Sequence, residues 1–413
     1  MALAALSAIT KDEMSASLDI STIRREFPVT KRMLYLDSAH QTPMPNCVRS
    51  ALSEFLVEGN EMAGPKPVWM RRVELAREKV AELLHASSDE IAFTKNTSEG
   101  LNIAANAVPL QPGSTVLMLE GDHPNNAYAW LHLKRKGVKV KFVSLPDDQV
   151  ANASTFADHI DESTRVISLS HVTFHAGQRH DIEDIGRLCA RMSIYLVVDA
   201  MQSVGVLPVD VEKLGVSVLA AGCHKGLMVP QGTGILYVKQ SLQELQPVYL
   251  AMSSLANPPE DYVARPDEMT TRRDAGRFEF GNFNLPDLHA LTRSIEFIQS
   301  IGVANIEEHV QMLGDRLIEG LDELGIGLVG PRQRGQRAHI YVLALPVAKW
   351  VSYFTQNLVR VSPERGGVRI SFGAFNTAED VDQLIGLIAS RMRRRVDTET
   401  SSGEMDGGPK ARA

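Results

Sequence analysis

Two ionisable residues at the ends of neighbouring apolar runs carry the first chemical signal. Tyr195 to Val198 is an apolar run that ends on a carboxylate, Asp199, and Val216 to Ala221 is a second that leads into Cys223, His224 and Lys225. Short apolar runs bounded by turn signals read as buried parallel strands. The carboxyl ends of such strands open onto the crevice where α/β sheets bind ligands. A turn, Pro230 to Gly234, and a third strand, Ile235 to Val238, follow. Asp199 and Lys225 are therefore expected on one rim. An amine there can form a Schiff base with an aldehyde, and a carboxylate can keep a pyridinium nitrogen protonated so that the ring draws electrons. Read singly, Lys225 is a solvated lysine and Asp199 a helix cap; the pair is informative because both sit at strand ends in dense local patterns.

A second group of residues could handle anions. Ile91 to Thr94 reads as a strand, Thr97-Ser98-Glu99-Gly100 as a turn, and the residues to about Val108 as a helix. A hydroxyl-bearing turn at a helix start presents N–H groups and the positive helix end to an anion, although Thr and Ser are also ordinary helix caps. His123 lies on the loop after the strand Val116 to Leu119, and Arg369 lies in the run Val368 to Ser371. A planar guanidinium is suited to a two-pronged carboxylate contact.

The patterns V-V-D-A-x-Q and G-x-H-K-G-L-x-x-P-Q-G-T-G, with T-S-E-G, H-V-T, R-F-E-F-G-N and V-R-I-S-x-x-x-F-N-T, resemble fold-type I pyridoxal phosphate (PLP) enzymes of aminotransferase class V. That group includes cysteine desulfurases and isopenicillin N epimerase-like proteins, and the resemblance runs from about Leu34 to about Leu387. It implies that Lys225 carries PLP as a Schiff base and then removes the substrate α-proton. It further implies that Asp199 holds the ring nitrogen, Gln202 the ring oxygen, and His123 stacks on the ring. Thr97, Ser98 and His224 hold the phosphate, and Asn282 stands where a threonine reaches the phosphate of a neighbouring subunit. Arg369 takes the substrate carboxylate, with Arg360 and His40 as further substrate contacts. Three departures stand out. Gly222 replaces a Ser or Thr that touches the phosphate, Phe174 replaces an asparagine beside the cofactor, and His40 replaces a small residue. Cysteine desulfuration needs a nucleophilic cysteine shortly before the V-R-I-S arginine, and residues 360–369 contain none. An aminotransferase is thus the first expectation. A C–S (β-elimination) lyase or an epimerase is the alternative, and a non-catalytic interaction protein comes last.

The elements that must position these residues alternate as strand and helix. The expected fold is α/β, a mostly parallel large-domain sheet sandwiched by helices plus a smaller α+β C-terminal domain. The expected division is an N-terminal segment 1–32 packing with the small domain, a PLP-binding domain 33–286, a small domain 287–394 and a disordered tail 395–413. The 413 residues are 44% hydrophobic and 23% charged, with net charge −7, which points away from nucleic acid and membrane surfaces. Three scattered cysteines, Cys47, Cys189 and Cys223, suggest neither a disulfide framework nor a metal knuckle. The N-terminus reads as neither signal peptide nor membrane helix. A cytoplasmic homodimer with active sites at the subunit interface is expected.

Overall fold

A computed structural model describes residues 19–267 and 269–403, with side chains described through 393. Thirteen strands run in chain order: β1 Leu34–Tyr35, β2 Ile91–Thr94, β3 Thr115–Leu119, β4 Lys139–Val143, β5 Thr164–Ser170, β6 Tyr195–Asp199, β7 Val218–Gly222, β8 Gly234–Val238, β9 Leu328–Val329, β10 Ile340–Leu343, β11 Val359–Arg360, β12 Ser362–Glu364 and β13 Gly367–Ser371. The α-helices are α1 Ile20–Arg25, α2 Asn46–Glu61, α3 Lys66–Leu84, α4 Thr97–Ala107, α5 Pro124–Leu131, α6 Ala153–Ala157, α7 Ile182–Met192, α8 Leu285–Ile301, α9 Val303–Glu323, α10 Val347–Gln356 and α11 Ala378–Gly403.

Seven strands form the main sheet in the order β2-β8-β7-β6-β5-β3-β4. All its pairings are parallel except those of β8, which runs against both β7 and β2. Alternate residues along each strand enter two different cores. Leu117, Ile167, Leu196, Val198 and Leu219 join one cluster, and Val116, Met118, Val166, Val197 and Val218 the other. Side chains alternate across a pleated strand, so two apolar cores require helices on both faces, which is why these strands read as continuous apolar runs. Helix α4 packs closely on β7, where a Cβ on Gly100 would come within 2.8 Å of the Ala220 Cβ.

The second sheet is antiparallel, β12-β13-β10-β9, with a third core shared by α9, α10 and α11. Strand β1 leaves the N-terminal segment to pair in parallel with β11, Leu34 with Val359 and Tyr35 with Arg360. Arg24 of α1 pairs with Asp380 of α11 at 2.8 Å, so residues before β1 do contact the C-terminal part of the chain. Ile23 and Phe27 also enter the large core. Helix α11 runs to Gly403, into the stretch 395–413 expected as a tail; residues 1–18 and 404–413 lie outside the described residues. Among the described residues no helix is long and apolar enough to cross a membrane.

Candidate active site

The carboxyl ends of β5, β6 and β7 and the start of α4 converge on a cavity of about 210 Å³. Its wall holds Thr97, Ser98, His123, Asp199, Gln202, His224 and Lys225. Seven of the sequence-derived site residues therefore meet in one place. Lys225 follows β7 on a turn pinned by two glycines: a Cβ on Gly226 would collide with Val204 O, and Gly205, at φ +82°, approaches Gly226 backbone. The turn cannot slide without a collision, which fixes where the lysine emerges.

Burial sets the chemistry of the central pair. It pulls the Lys225 amine down to about 8; Asp199 and Asp37 oppose this and Arg369 adds to it. Burial likewise pushes the Asp199 carboxyl up to about 7, with the Met201 N–H opposing. Desolvation penalises the charged form of each. The Asp199 carboxylate accepts Met201 N at 3.0 Å and has no ion-pair partner within 4.0 Å among the described residues. Gln202 donates from Nε2 to Ala39 O at 3.0 Å, leaving Oε1 buried without a partner. A buried acid without a cation and an orphaned amide oxygen are unusual in a finished core. Both are what a bound group with a protonated ring nitrogen and an oxygen substituent would satisfy.

The anion-facing side of the cavity is built by two loops. Asn96 caps α4 by accepting Glu99 N at 2.9 Å, which places Thr97 and Ser98 in the first turn. Ser98 Oγ accepts Asn125 Nδ2 at 2.7 Å, tying this turn to the loop that carries His123. Asp122 fixes that loop, accepting Ser170 N at 2.8 Å and Asn126 Nδ2 at 3.1 Å. His123 Nδ1 accepts Asn125 N at 3.2 Å, so the neutral ring carries its hydrogen on Nε2. Burial, then Lys225, lowers its pKa. Its ring meets Phe174 edge to face at 5.0 Å. Thr97 Oγ1 and Gly222 N both donate to Met201 Sδ at 3.0 Å. His224 is held down to about 4 by burial, with Lys225 and His40 adding.

Arg369 is buried on β13 and braces the cavity-lining Phe174 from the neighbouring cleft. Nη1 donates to Phe174 O at 3.0 Å and lies 3.5 Å from Glu364 Oε2; Nη2 is 3.6 Å from Asp37 Oδ1. Nε is buried without a partner, so the side-on edge of the guanidinium formed by Nε and Nη2 carries no hydrogen bond. Asp37, fully buried, also accepts Ser362 Oγ at 2.8 Å and Arg360 Nε at 3.3 Å. Arg369, Arg360 and His40 border a more open cleft of about 670 Å³, with His40 itself exposed.

Asn282 does not join these residues. It is exposed and lines a different cleft with Lys95 and Thr233. Its neighbours in the R-F-E segment are structural: Arg277 donates to four backbone oxygens, and Glu279 pairs with Arg77 at 2.8 Å. Sequence reasoning assigned no role to Asp37, Asp122, Met201 or Glu364. Asp37 directly follows the short apolar run Met33 to Leu36, which was the available signal; Glu364 had none.

A family model described as Aminotransferase class-V matches residues 34–384. An uncharacterised aminotransferase from Schizosaccharomyces pombe is 33% identical over 387 residues, covering 91% of this chain and 97% of that protein. A probable cysteine desulfurase from Methanothermobacter thermautotrophicus is 34% identical over 393 residues, covering 88% and 96%. Among solved structures, apo cysteine desulfurase from Thermococcus onnurineus NA1 superposes with a TM-score of 0.83 at 25% identity, covering 90% of this chain and 98% of that one.

Proposed function

We infer the reaction from one premise: the chain belongs to the aminotransferase class-V family, with the type I fold of PLP-dependent enzymes. The cofactor is PLP, and the site fits it. Lys225 would hold its aldehyde carbon, Asp199 its ring nitrogen, and Thr97, Ser98 and His224 its phosphate, with Gln202 beside the ring oxygen and His123 over the ring. When bound, PLP supplies the electron sink that takes up the pair left behind by a departing α-proton.

The observation that carries the reading is the buried pair itself, an amine near 8 and a carboxyl near 7 facing one cavity. With the cofactor bound, Lys225 would be the base that takes the α-proton, and burial that lowers its pKa to about 8 enlarges its neutral fraction. Asp199 would face the ring nitrogen, and a protonated nitrogen there would favour the ionised carboxylate. Arg369 offers its guanidinium to the substrate carboxylate through Nε, which has no partner, while Asp37 holds Nη2 at 3.6 Å. His123, with hydrogen on Nε2, can donate a hydrogen bond to a leaving group.

The leading reading is a C–S lyase working by β-elimination on a sulfur-containing amino acid, which places the sequence-based preference for transamination second. Support comes from the 34% identical relative named as a cysteine desulfurase. The chain lacks that chemistry's thiol: β12 and β13 carry no cysteine, and burial raises the thiol pKa of Cys47, Cys189 and Cys223. Sulfur would therefore leave as a free thiol, not as an enzyme persulfide. In balance, the Cβ–S bond breaks, the α-proton leaves, the sulfur takes a proton, and water releases 2-oxo acid and ammonia. Transamination keeps support from the 33% identical relative named as an aminotransferase. A panel of L-cysteine, L-cystine and L-alanine, with and without a 2-oxo acid acceptor, separates the two. Pyruvate and ammonia from cysteine or cystine without acceptor support the lyase. Turnover only with acceptor, and no ammonia, overturns it. We place the protein in the cytoplasm, on its three unpaired cysteines.

A further inference from the structure

Met201 occupies a corner of the cavity that its sequence neighbours do not explain. Its backbone N–H donates to Asp199, while its thioether receives two donors, the Thr97 hydroxyl and the Gly222 amide, each at 3.0 Å. A side chain at residue 222 would be crowded, and its neighbours would have to give by a few tenths of an ångström. A Cβ there would lie 3.0 Å from Met201 Sδ, 3.3 Å from Met201 Cε and 3.2 Å from Thr97 Oγ1. Contacts this short force a neighbour to move. The absent side chain at 222 and the long side chain at 201 are therefore one feature: the methionine fills the volume that a side chain on β7 would take.

We propose that Met201 and Gly222 form a size-matched pair that shapes the phosphate end of the cofactor site, with Met201 as the positioning residue. The proposal rests on the PLP reading above. A thioether is a weak acceptor, so it holds the Thr97 hydroxyl and the Gly222 amide toward the cavity and yields them readily to a phosphate oxygen. Its flexible, polarisable chain also fills an irregular gap at small cost. A serine at 222 would bring a hydroxyl suited to phosphate, yet in this chain it drives Met201 into the cavity. Adding that hydroxyl should weaken cofactor binding until Met201 is shortened as well.

Apoenzyme is titrated with PLP and the dissociation constant read from absorbance for the wild type, Gly222→Ser, Met201→Ala and the double variant, with circular dichroism confirming each fold. Each single variant should bind about tenfold more weakly, and the double variant within about threefold of the wild type, because contacting residues couple rather than add. Gly222→Ser alone binding as tightly as the wild type, or penalties that add in the double variant, overturns the pairing. If Gly222→Ser does not fold, Met201→Ala binding as tightly as the wild type overturns it instead. A wild type that binds no PLP at all removes the functional reading beneath, an outcome distinct from additivity.

Discussion

Lys225 can act only as a free amine, and burial is what makes it one near neutrality. Its pKa in the fold lies below the ordinary lysine value, so the reactive neutral form grows as pH rises through about 8. Capture of PLP by apoenzyme should accelerate between about pH 7 and 9 and then level off. A stopped-flow profile still climbing toward the ordinary lysine pKa would show that the amine is not desolvated. Lys225→Ala should retain the fold and lose turnover, and borohydride should fix PLP on Lys225 and no other lysine in the wild type. Arg369 gives a different signature. Arg369→Ala removes a charge-assisted fork, worth about 2–5 kcal/mol in kcat/KM for amino acids, while the PLP spectrum stays unchanged. Arg369→Lys should recover little of it. That seven of the named residues would line one cavity was readable because each sits in a short contiguous pattern. Asp37 was harder: its partners Arg360, Ser362 and Arg369 lie at the far end of the chain, and a lone aspartate before a turn looks like turn chemistry.

The β12–β13 hairpin links the two sheets across the mouth of the site. Arg365 at its tip donates to Gly121 O at 3.2 Å and lies 3.8 Å from Asp147. Glu364 beside it faces Arg369. Exposed contacts of this kind are individually weak, so the hairpin is held to the large sheet lightly. Arg365→Ala should raise KM for amino acids about threefold to tenfold and weaken PLP binding less, since the latch carries the substrate wall and meets only Gly121 O of the loop that bears His123. Equal losses in both would place the latch on the cofactor side. The hairpin itself was legible from its Pro and Gly residues between short apolar stretches. Helix α2 was not, since only Val48 and Ala51 of its residues are buried and its apolar stripe is thin. Nor was the insertion of antiparallel β8 between β2 and β7: periodicity reports which faces are covered, not which strand lies alongside.

Among the described residues, nothing covers one apolar strip of the molecule. Val248, Tyr249, Leu250 and Met252 are exposed together with Phe280, and Tyr249 and Phe280 border a cleft of about 570 Å³ that reaches Ser98. Patches of this size mark association surfaces. Sedimentation should find a dimer, and Tyr249→Asp with Phe280→Asp should yield monomers with weakened PLP binding; active wild-type monomers on dilution would contradict this. The pairing of β1 with β11 has a consequence of another kind, in the order of synthesis. Lys225, Asp199, His123 and Thr97 all leave the ribosome well before Val359 and Arg369 exist. Domains generally begin to fold as they emerge, so the cofactor cup can close while β1 and Asp37 still wait for their partners. The nascent enzyme can thus be charged with its cofactor at a stage when it has no arm to hold a substrate, and the last residues made decide when chemistry begins.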